Sequence, residues 1–240
     1  MKISLFDSGI EWRTAAVDAI LSAMTEAATS GLSPLHICLS GGSTPKPVYE
    51  SLATNEEFLL ILEKRRVELW IGDERDVPAD SPHRNGAMAV DAFKNAFEAS
   101  RDRTESGRLV LNLWPALPAE ESCRLYASMV EAKMGARGTF CCTILGIGND
   151  GHTASLFSAA DADRDDGTLA FPTLAPDFPQ RRMTMSAPLL KRTNNILLLA
   201  KGTGKTEILE KVSRGGGTYP ISRFDGDGLH ALYCSGKDCV

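Results

Sequence analysis

The sequence has no run approaching the roughly 18 consecutive apolar residues of a membrane-spanning helix, so no membrane span is predicted. At the N-terminus the apolar stretch of Met1-Lys2-Ile3-Ser4-Leu5-Phe6-Asp7 breaks after a few residues, too soon for a secretory signal. Positive charge is also scarce: 26 lysines and arginines stand against 31 aspartates and glutamates, a net charge of −5. A chain of that sign is not suited to coating nucleic acid or an anionic bilayer, and an anionic ligand would need a local basic pocket. The six cysteines (Cys38, Cys123, Cys141, Cys142, Cys234 and Cys239) form no CxxC pair, and no spaced His/Cys set suggests a metal. Several of them lie in apolar strand-like runs that suit reduced, buried thiols, so a reducing, cytoplasmic compartment is expected. Repeats and low-complexity tracts are absent, and residues 1–240 are read as one domain.

What is present has a rhythm. Trp12, Ala16, Ile20, Ala23 and Ala27 fall at helical spacing and predict a helix over residues 11–30. Leu35–Leu39 reads as a buried strand feeding Gly41-Gly42, with Pro45 where the first turn of a helix accepts it. Val67–Ile71 is a second strand, residues 72–85 a polar loop, and 86–99 a helix. A helix over 120–134, strands over 139–145 and 195–200 and a helix over 203–212 follow. Residues 159–167 read as an exposed acidic excursion and 214–217 as a flexible loop. Continuous apolar strands alternating with amphipathic helices predict an α/β fold, a mainly parallel sheet with helices on both faces. In open α/β sheets ligands bind outside the carboxyl ends of the strands, which directs attention to four places.

Ser40-Gly41-Gly42-Ser43-Thr44-Pro45 could bring backbone N–H groups, hydroxyls and a helix start to a phosphate, or could be an ordinary turn with a hydroxyl N-cap. Asp73-Glu74-Arg75-Asp76 is either a solvated ion cluster or an arginine held by carboxylates against a substrate. In Gly146-Ile147-Gly148-Asn149-Asp150-Gly151-His152, an imidazole follows a carboxylate by two residues at a strand mouth. Histidine is well matched to taking a proton near neutral pH, and Asp150 could orient it; a structural histidine is the plainer reading. Of the four histidines, His36 lies in a strand and reads as core, His230 begins a late strand, and His83 sits in a loop. Arg181-Arg182-Met183-Thr184 and Gly202-Thr203-Gly204-Lys205 could each aim a cation at a phosphate.

Two motifs mislead. Gly146 to Gly151 satisfies G-x-G-x-x-G, but no second strand ending in an acidic residue follows about 20 residues on, as the dinucleotide fingerprint requires. Gly204-Lys205-Thr206 copies the end of a P-loop, yet Leu199 stands where its opening glycine belongs. No nucleotide cofactor is expected.

Together, Leu39 to Pro45, Gly72 to Arg75 with Val77-Pro78, Gly146 to Phe157, Arg182 to Met185, and Gly202 with Lys205 resemble the 6-phosphogluconolactonases over essentially the whole chain. Asp150-Gly151-His152-Thr153-Ala154-Ser155-Leu156-Phe157 is the most specific stretch; the glycine-serine-threonine-proline turn is shared with sugar-phosphate isomerases and deaminases. The resemblance implies a Rossmann-like fold, shared with glucosamine-6-phosphate deaminases and ribose-5-phosphate isomerases. It implies hydrolysis of 6-phospho-D-glucono-1,5-lactone in the oxidative pentose phosphate pathway, by a cytoplasmic monomer or small homo-oligomer with no metal or cofactor. His152 would be the base, Asp150 its orienter, and Arg75 the group facing developing negative charge. Gly41, Gly42, Ser43, Thr44, Arg182 and Lys205 would hold phosphate, with Asp73, Glu74 and Asn85 in support. Arg84 stands where the family usually has serine, and Ser158 where it has proline. The alternatives are an amino-sugar phosphate deaminase-isomerase and a non-catalytic sugar-phosphate sensor.

Overall fold

The computed structural model describes residues 1–103, 108–177, 180–215, 218–226 and 228–239; residues 216–217 of the expected loop over 214–217 lie outside them. The strands are β1 (Lys2–Phe6), β2 (Leu35–Leu39), β3 (Val67–Ile71), β4 (Asp73–Arg75), β5 (Leu109–Asn112), β6 (Cys142–Leu145), β7 (Ala170–Leu174), β8 (Arg181–Met185), β9 (Ile196–Lys201) and β10 (Leu229–Cys234). The helices are α1 (Gly9–Thr29), α2 (Lys46–Ala53), α3 (Glu56–Lys64), α4 (Asn85–Ala92), α5 (Lys94–Arg103), α6 (Ala119–Met134), α7 (Ala159–Ala162), α8 (Ala187–Leu190) and α9 (Thr206–Ser213).

Seven strands form one sheet in the order β1-β10-β9-β6-β2-β3-β5, and every pairing in it is parallel. Helices pack around it, so the inner strands are covered and read as unbroken apolar runs; every residue of β2, β3 and β6 is buried. Edge strand β1 has no fully buried residue, with Leu5 70% exposed, and periodic apolarity did not disclose it. The expected helix over 86–99 is two helices, α4 and α5, separated at Phe93. That ring is wholly buried against Tyr49 and Phe58, and the break turns it inward. The expected polar loop over 72–85 contains β4, which pairs antiparallel with β8; β8 pairs in turn with β7. His36 is a core residue, as expected, its Nδ1 accepting from Trp70 Nε1 at 3.0 Å.

Four cysteines are free and buried, in keeping with the expected reduced thiols. Cys234 and Cys239 depart from it and are joined as a disulfide, their Cα atoms 5.8 Å apart. A 3-10 turn over Lys237–Cys239 folds the chain back onto the end of β10, and nothing in a spacing of five residues announces that turn.

The order of strands reverses beside β2. The chain runs outward from β2 through β3 to β5, then returns with β6 on the other side of β2. A crevice therefore opens at the carboxyl ends of β2 and β6. The end of β3 beside it is fixed by Tyr126 of α6. Its hydroxyl accepts the Ile71 N–H at 2.9 Å and lies 3.1 Å from the carbonyls of Ile71 and Asn112. Tyr126→Phe leaves a buried N–H without an acceptor and should cost about 1–3 kcal/mol. A urea midpoint unchanged from wild type would show that this bond contributes nothing.

Candidate active site

The turns after β2, β6 and β9 meet at the crevice around one chamber, and the turn after β6 forms a second, adjoining one with β4 and β8. The first, about 250 Å³, is lined by Ser40 to Pro45, Gly146 to Gly148, Lys201 and Lys205, among others. The second, about 440 Å³, is lined by Asn149, Asp150, Ser155, Phe157, Asp177 and Arg182, among others. Asp73, Arg75, His152 and Ala154 belong to both. A cavity of about 490 Å³ beside α1 is larger, but it has no histidine in its lining. No lining atom of that cavity is a buried side-chain atom lacking a partner among the described residues.

In the first chamber the chain leaves β2 under the control of Tyr49 on α2, whose hydroxyl accepts from Ser40 N at 2.9 Å and donates to Ser40 O at 3.0 Å. Burial pushes the Tyr49 phenol up, so it stays protonated and can do both. The N-cap of α2 is Pro45 and carries no side-chain cap bond, so Ser43 and Thr44 are not the hydroxyl caps of the plainer reading. Gly42 has φ +96°, and Gly41 presses so closely on the Asn85 side chain that a Cβ has no room. Lys205 reaches in from the 3-10 turn before α9 and donates to Asn149 Oδ1 at 2.7 Å. Burial lowers the pKa of this ammonium, while Asp150 acts against the shift.

On the shared wall, His152 Nδ1 lies 2.6 Å from Asp150 Oδ1, which also accepts the His152 backbone N–H at 3.2 Å. This engages one ring nitrogen and leaves Nε2 for a second partner. Burial alone would raise the Asp150 pKa, but the charge and hydrogen bonds of His152 outweigh it and hold the carboxyl below its ordinary value. The ring stands 4.8 Å from that of Phe157. Beneath the pair lies Gly148, where a Cβ would collide with His152 Nδ1 and Asp150 Oδ1. No helix starts directly after Gly151, so the G-x-G-x-x-G stretch has no dipole to offer a pyrophosphate.

The Asp-Glu-Arg cluster is not a solvated ion cluster. In the antiparallel register of β4 and β8, Asp73 faces Thr184, Glu74 faces Met183 and Arg75 faces Arg182. Alternation sends Asp73 and Arg75 to the chambers and Glu74 to the other side. Glu74 is fully buried and accepts from the backbone N–H of Arg75, Asn85 and Gly86 at 2.8, 2.7 and 2.8 Å, with Arg84 Nε 3.6 Å away. Burial raises its pKa against those bonds. Asp73 accepts from Ser155 Oγ at 2.7 Å, and Asn85 Nδ2 donates to the Asp73 carbonyl at 2.7 Å.

Thus His152, Asp150, Arg75, Gly41, Gly42, Ser43, Thr44, Lys205, Asp73 and Asn85 converge at the two chambers, with Glu74 holding the wall from behind. Arg182 lines the second chamber and not the glycine turn. Arg84, the departure from serine, donates to Trp114 O at 2.9 Å and lines neither chamber. Ser158 caps α7 in a capping box with Asp161. Sequence reasoning passed over Ser155, whose partner Asp73 is 82 residues away, and Lys201, which the strand-end rule would have found at the tip of β9. Among the described residues no three His, Cys, Asp or Glu side chains are grouped to hold a metal ion.

Residues 10–232 match the family model described as Glucosamine-6-phosphate isomerases/6-phosphogluconolactonase. The 6-phosphogluconolactonase of Thermotoga maritima is 33% identical over 183 residues, covering 73% of this chain and 75% of that protein. The human GDH/6PGL endoplasmic bifunctional protein is 33% identical over 183 residues, 75% of this chain but 22% of its own length. The chain thus spans less than a quarter of that relative. A crystal structure of 6-phosphogluconolactonase from Thermotoga maritima superposes with a TM-score of 0.74 at 27% identity, covering 98% of this chain and 99% of that one.

Gly148→Ala should part His152 from Asp150 while leaving the fold intact. The expected readout is loss of the hydrogen-bonded Nδ1 proton resonance of His152 in NMR spectra. Its persistence would mean that the loop accommodates a methyl group without disturbing the pair.

Proposed function

We propose, from the premise that this chain belongs to the glucosamine-6-phosphate isomerase/6-phosphogluconolactonase family, that it hydrolyses 6-phospho-D-glucono-1,5-lactone to 6-phospho-D-gluconate. The observation that carries the proposal is the Asp150–His152 pair, its imidazole on the wall shared by a chamber with two lysines and a chamber with two arginines. The sugar phosphate enters with its phosphate in the first chamber, against the N–H groups of the glycine turn and the charges of Lys201 and Lys205. That end anchors the molecule and sets C1 at His152, so phosphate contacts contribute to kcat as well as to KM.

His152 takes a proton from water as the water oxygen bonds to C1, with Asp150 orienting the ring and stabilising the imidazolium. Arg75 faces the negative charge that develops on the carbonyl oxygen. The bond between C1 and the ring oxygen then breaks, and the proton on His152 passes to the departing oxygen. The resulting acid ionises and releases one proton to solvent. Asp73, held by Ser155 and Asn85, presents a fixed carboxylate to the sugar hydroxyls. The cytoplasm and the oxidative pentose phosphate pathway, as the setting of this reaction, belong to the same proposal.

The direct test is stopped-flow or NMR hydrolysis of freshly made lactone, corrected for spontaneous opening. Turnover of glucosamine 6-phosphate without lactonase activity would replace this reading with the deaminase-isomerase one, and lactone binding without turnover with the sensor. His152→Ala should lower kcat by about 10²–10⁴-fold while remaining folded; hydrolysis near the wild-type rate would remove His152 from the mechanism. Lys205→Ala should lose affinity for the phosphorylated lactone far more than for unphosphorylated gluconolactone. Equal losses would argue against a phosphate contact.

A further inference from the structure

We propose that Arg75 and Arg182 form a two-guanidinium receptor in the second chamber for the charge that appears on C1, first as the oxyanion and then as the carboxylate of the product. This deepens the lactonase reading and rests on it. Arg75 and Arg182 are directly opposed on β4 and β8, so both side chains leave the same face of the sheet. Like charges in that position repel, and nothing in the strands' own pairing requires them. Each guanidinium has a buried nitrogen, Nε of Arg75 and Nη1 of Arg182, with no hydrogen-bond partner among the described residues. Arg182 is 9% exposed. Arg75 is anchored by its Nη1, which donates to His83 O at 2.7 Å. Buried donors are normally paired, and two residues of one chamber lining that each keep an unpaired cationic donor mark the place of an anion with two acceptor oxygens.

The carboxylates nearby do not fill that place. Asp73 accepts from Ser155, Asp150 is engaged by His152, and Asp177 stands exposed. Burial lowers the pKa of Arg182 and the charge of Arg75 lowers it further, while Asp73, Asp177 and Glu74 act against the shift without cancelling it. An anion between the two guanidiniums relieves both effects. The lactone is neutral at C1 and the product is not, so the receptor favours the charged adduct over the substrate and also retains the product. No bond forms or breaks at either arginine. Phosphate at one end and carboxylate at the other then define the ligand class: a phosphorylated aldonate.

The test is calorimetric titration of wild type and Arg182→Gln with 6-phospho-D-gluconate and with 6-phospho-D-glucitol, which replaces the carboxylate by a CH2OH group. Wild type should bind the aldonate about 10- to 100-fold more tightly than the alditol, as expected for charge-assisted hydrogen bonds. Arg182→Gln should remove most of that preference and leave alditol affinity within about threefold, since its phosphate contacts lie elsewhere. Equal affinity of wild type for both ligands, or equal weakening of both in the variant, overturns the receptor. If circular dichroism shows the glutamine variant unfolded, Arg182→Lys takes its place. Lysine keeps the charge but not the planar fork, so the preference should still fall, and an undiminished preference is fatal to the proposal. Lactone turnover by a wild type with no carboxylate preference refutes the receptor alone. A carboxylate preference without turnover refutes the lactonase reading and leaves the receptor standing.

Discussion

Glu74 is a carboxylate without solvent exposure, and the geometry of the cleft depends on how it is satisfied. Removing a carboxylate from water costs several kcal/mol unless donors replace the lost hydration. Three backbone N–H groups and the Arg84 guanidinium do so here. Two of those N–H groups belong to the first turn of α4 and one to β4, so a single side chain ties a helix start to a short strand. Asp73 and Arg75 flank the fixed residue on a strand of only three residues, and alternation delivers both to the cleft. Asn85, whose backbone is one of the three donors, returns a side-chain bond to the Asp73 carbonyl. Charges exposed on a loop would be mobile; here they are held in place.

The parallel sheet was legible because its inner strands are buried on both faces, and β2 and β3 coincide with the apolar runs that predict them. The glycine turns were legible for a related reason: polar and glycine residues directly after an apolar strand mark a strand end near a ligand. The small sheet β4-β8-β7 was not legible. Asp73-Glu74-Arg75 has the composition of a solvated loop, and its strand character comes from pairing with β8, about 110 residues further on. Register decides the rest. Nothing local in Arg181-Arg182 says which arginine enters the cleft, whereas the pairing sends Arg182 inward and leaves Arg181 to Asp76 and Glu120.

A net charge of −5 and a cleft lined by four cations are compatible because the cations are grouped rather than numerous. Lys201 comes from the end of β9 and Lys205 from the 3-10 turn that follows it, Arg75 and Arg182 come from the small sheet, and the two pairs flank His152. Fields of this range fade within about 8–10 Å at ordinary ionic strength, so attraction for an anion is a property of the cleft rather than of the whole protein. For the substrate proposed above, with charge at one end and a reacting carbon at the other, that grouping sets a direction of entry.

Ala154, between the two chambers, shows what this arrangement costs. It has φ +48°, a left-handed conformation that for a residue other than glycine costs on the order of 1–3 kcal/mol. Its neighbours hold it there. Thr153 donates to Gly146 O at 2.8 Å, Ser155 donates to Asp73 at 2.7 Å, and the Thr153–Leu156 bridge closes the turn. Without the left-handed step the chain leaving His152 could not turn back to bring Ser155 to Asp73, and a side chain larger than a methyl group would project into the wall both chambers share. The small residue at a strained position is therefore tied to the cleft on both counts, and Thr153 and Ser155 supply the bonds that offset its strain.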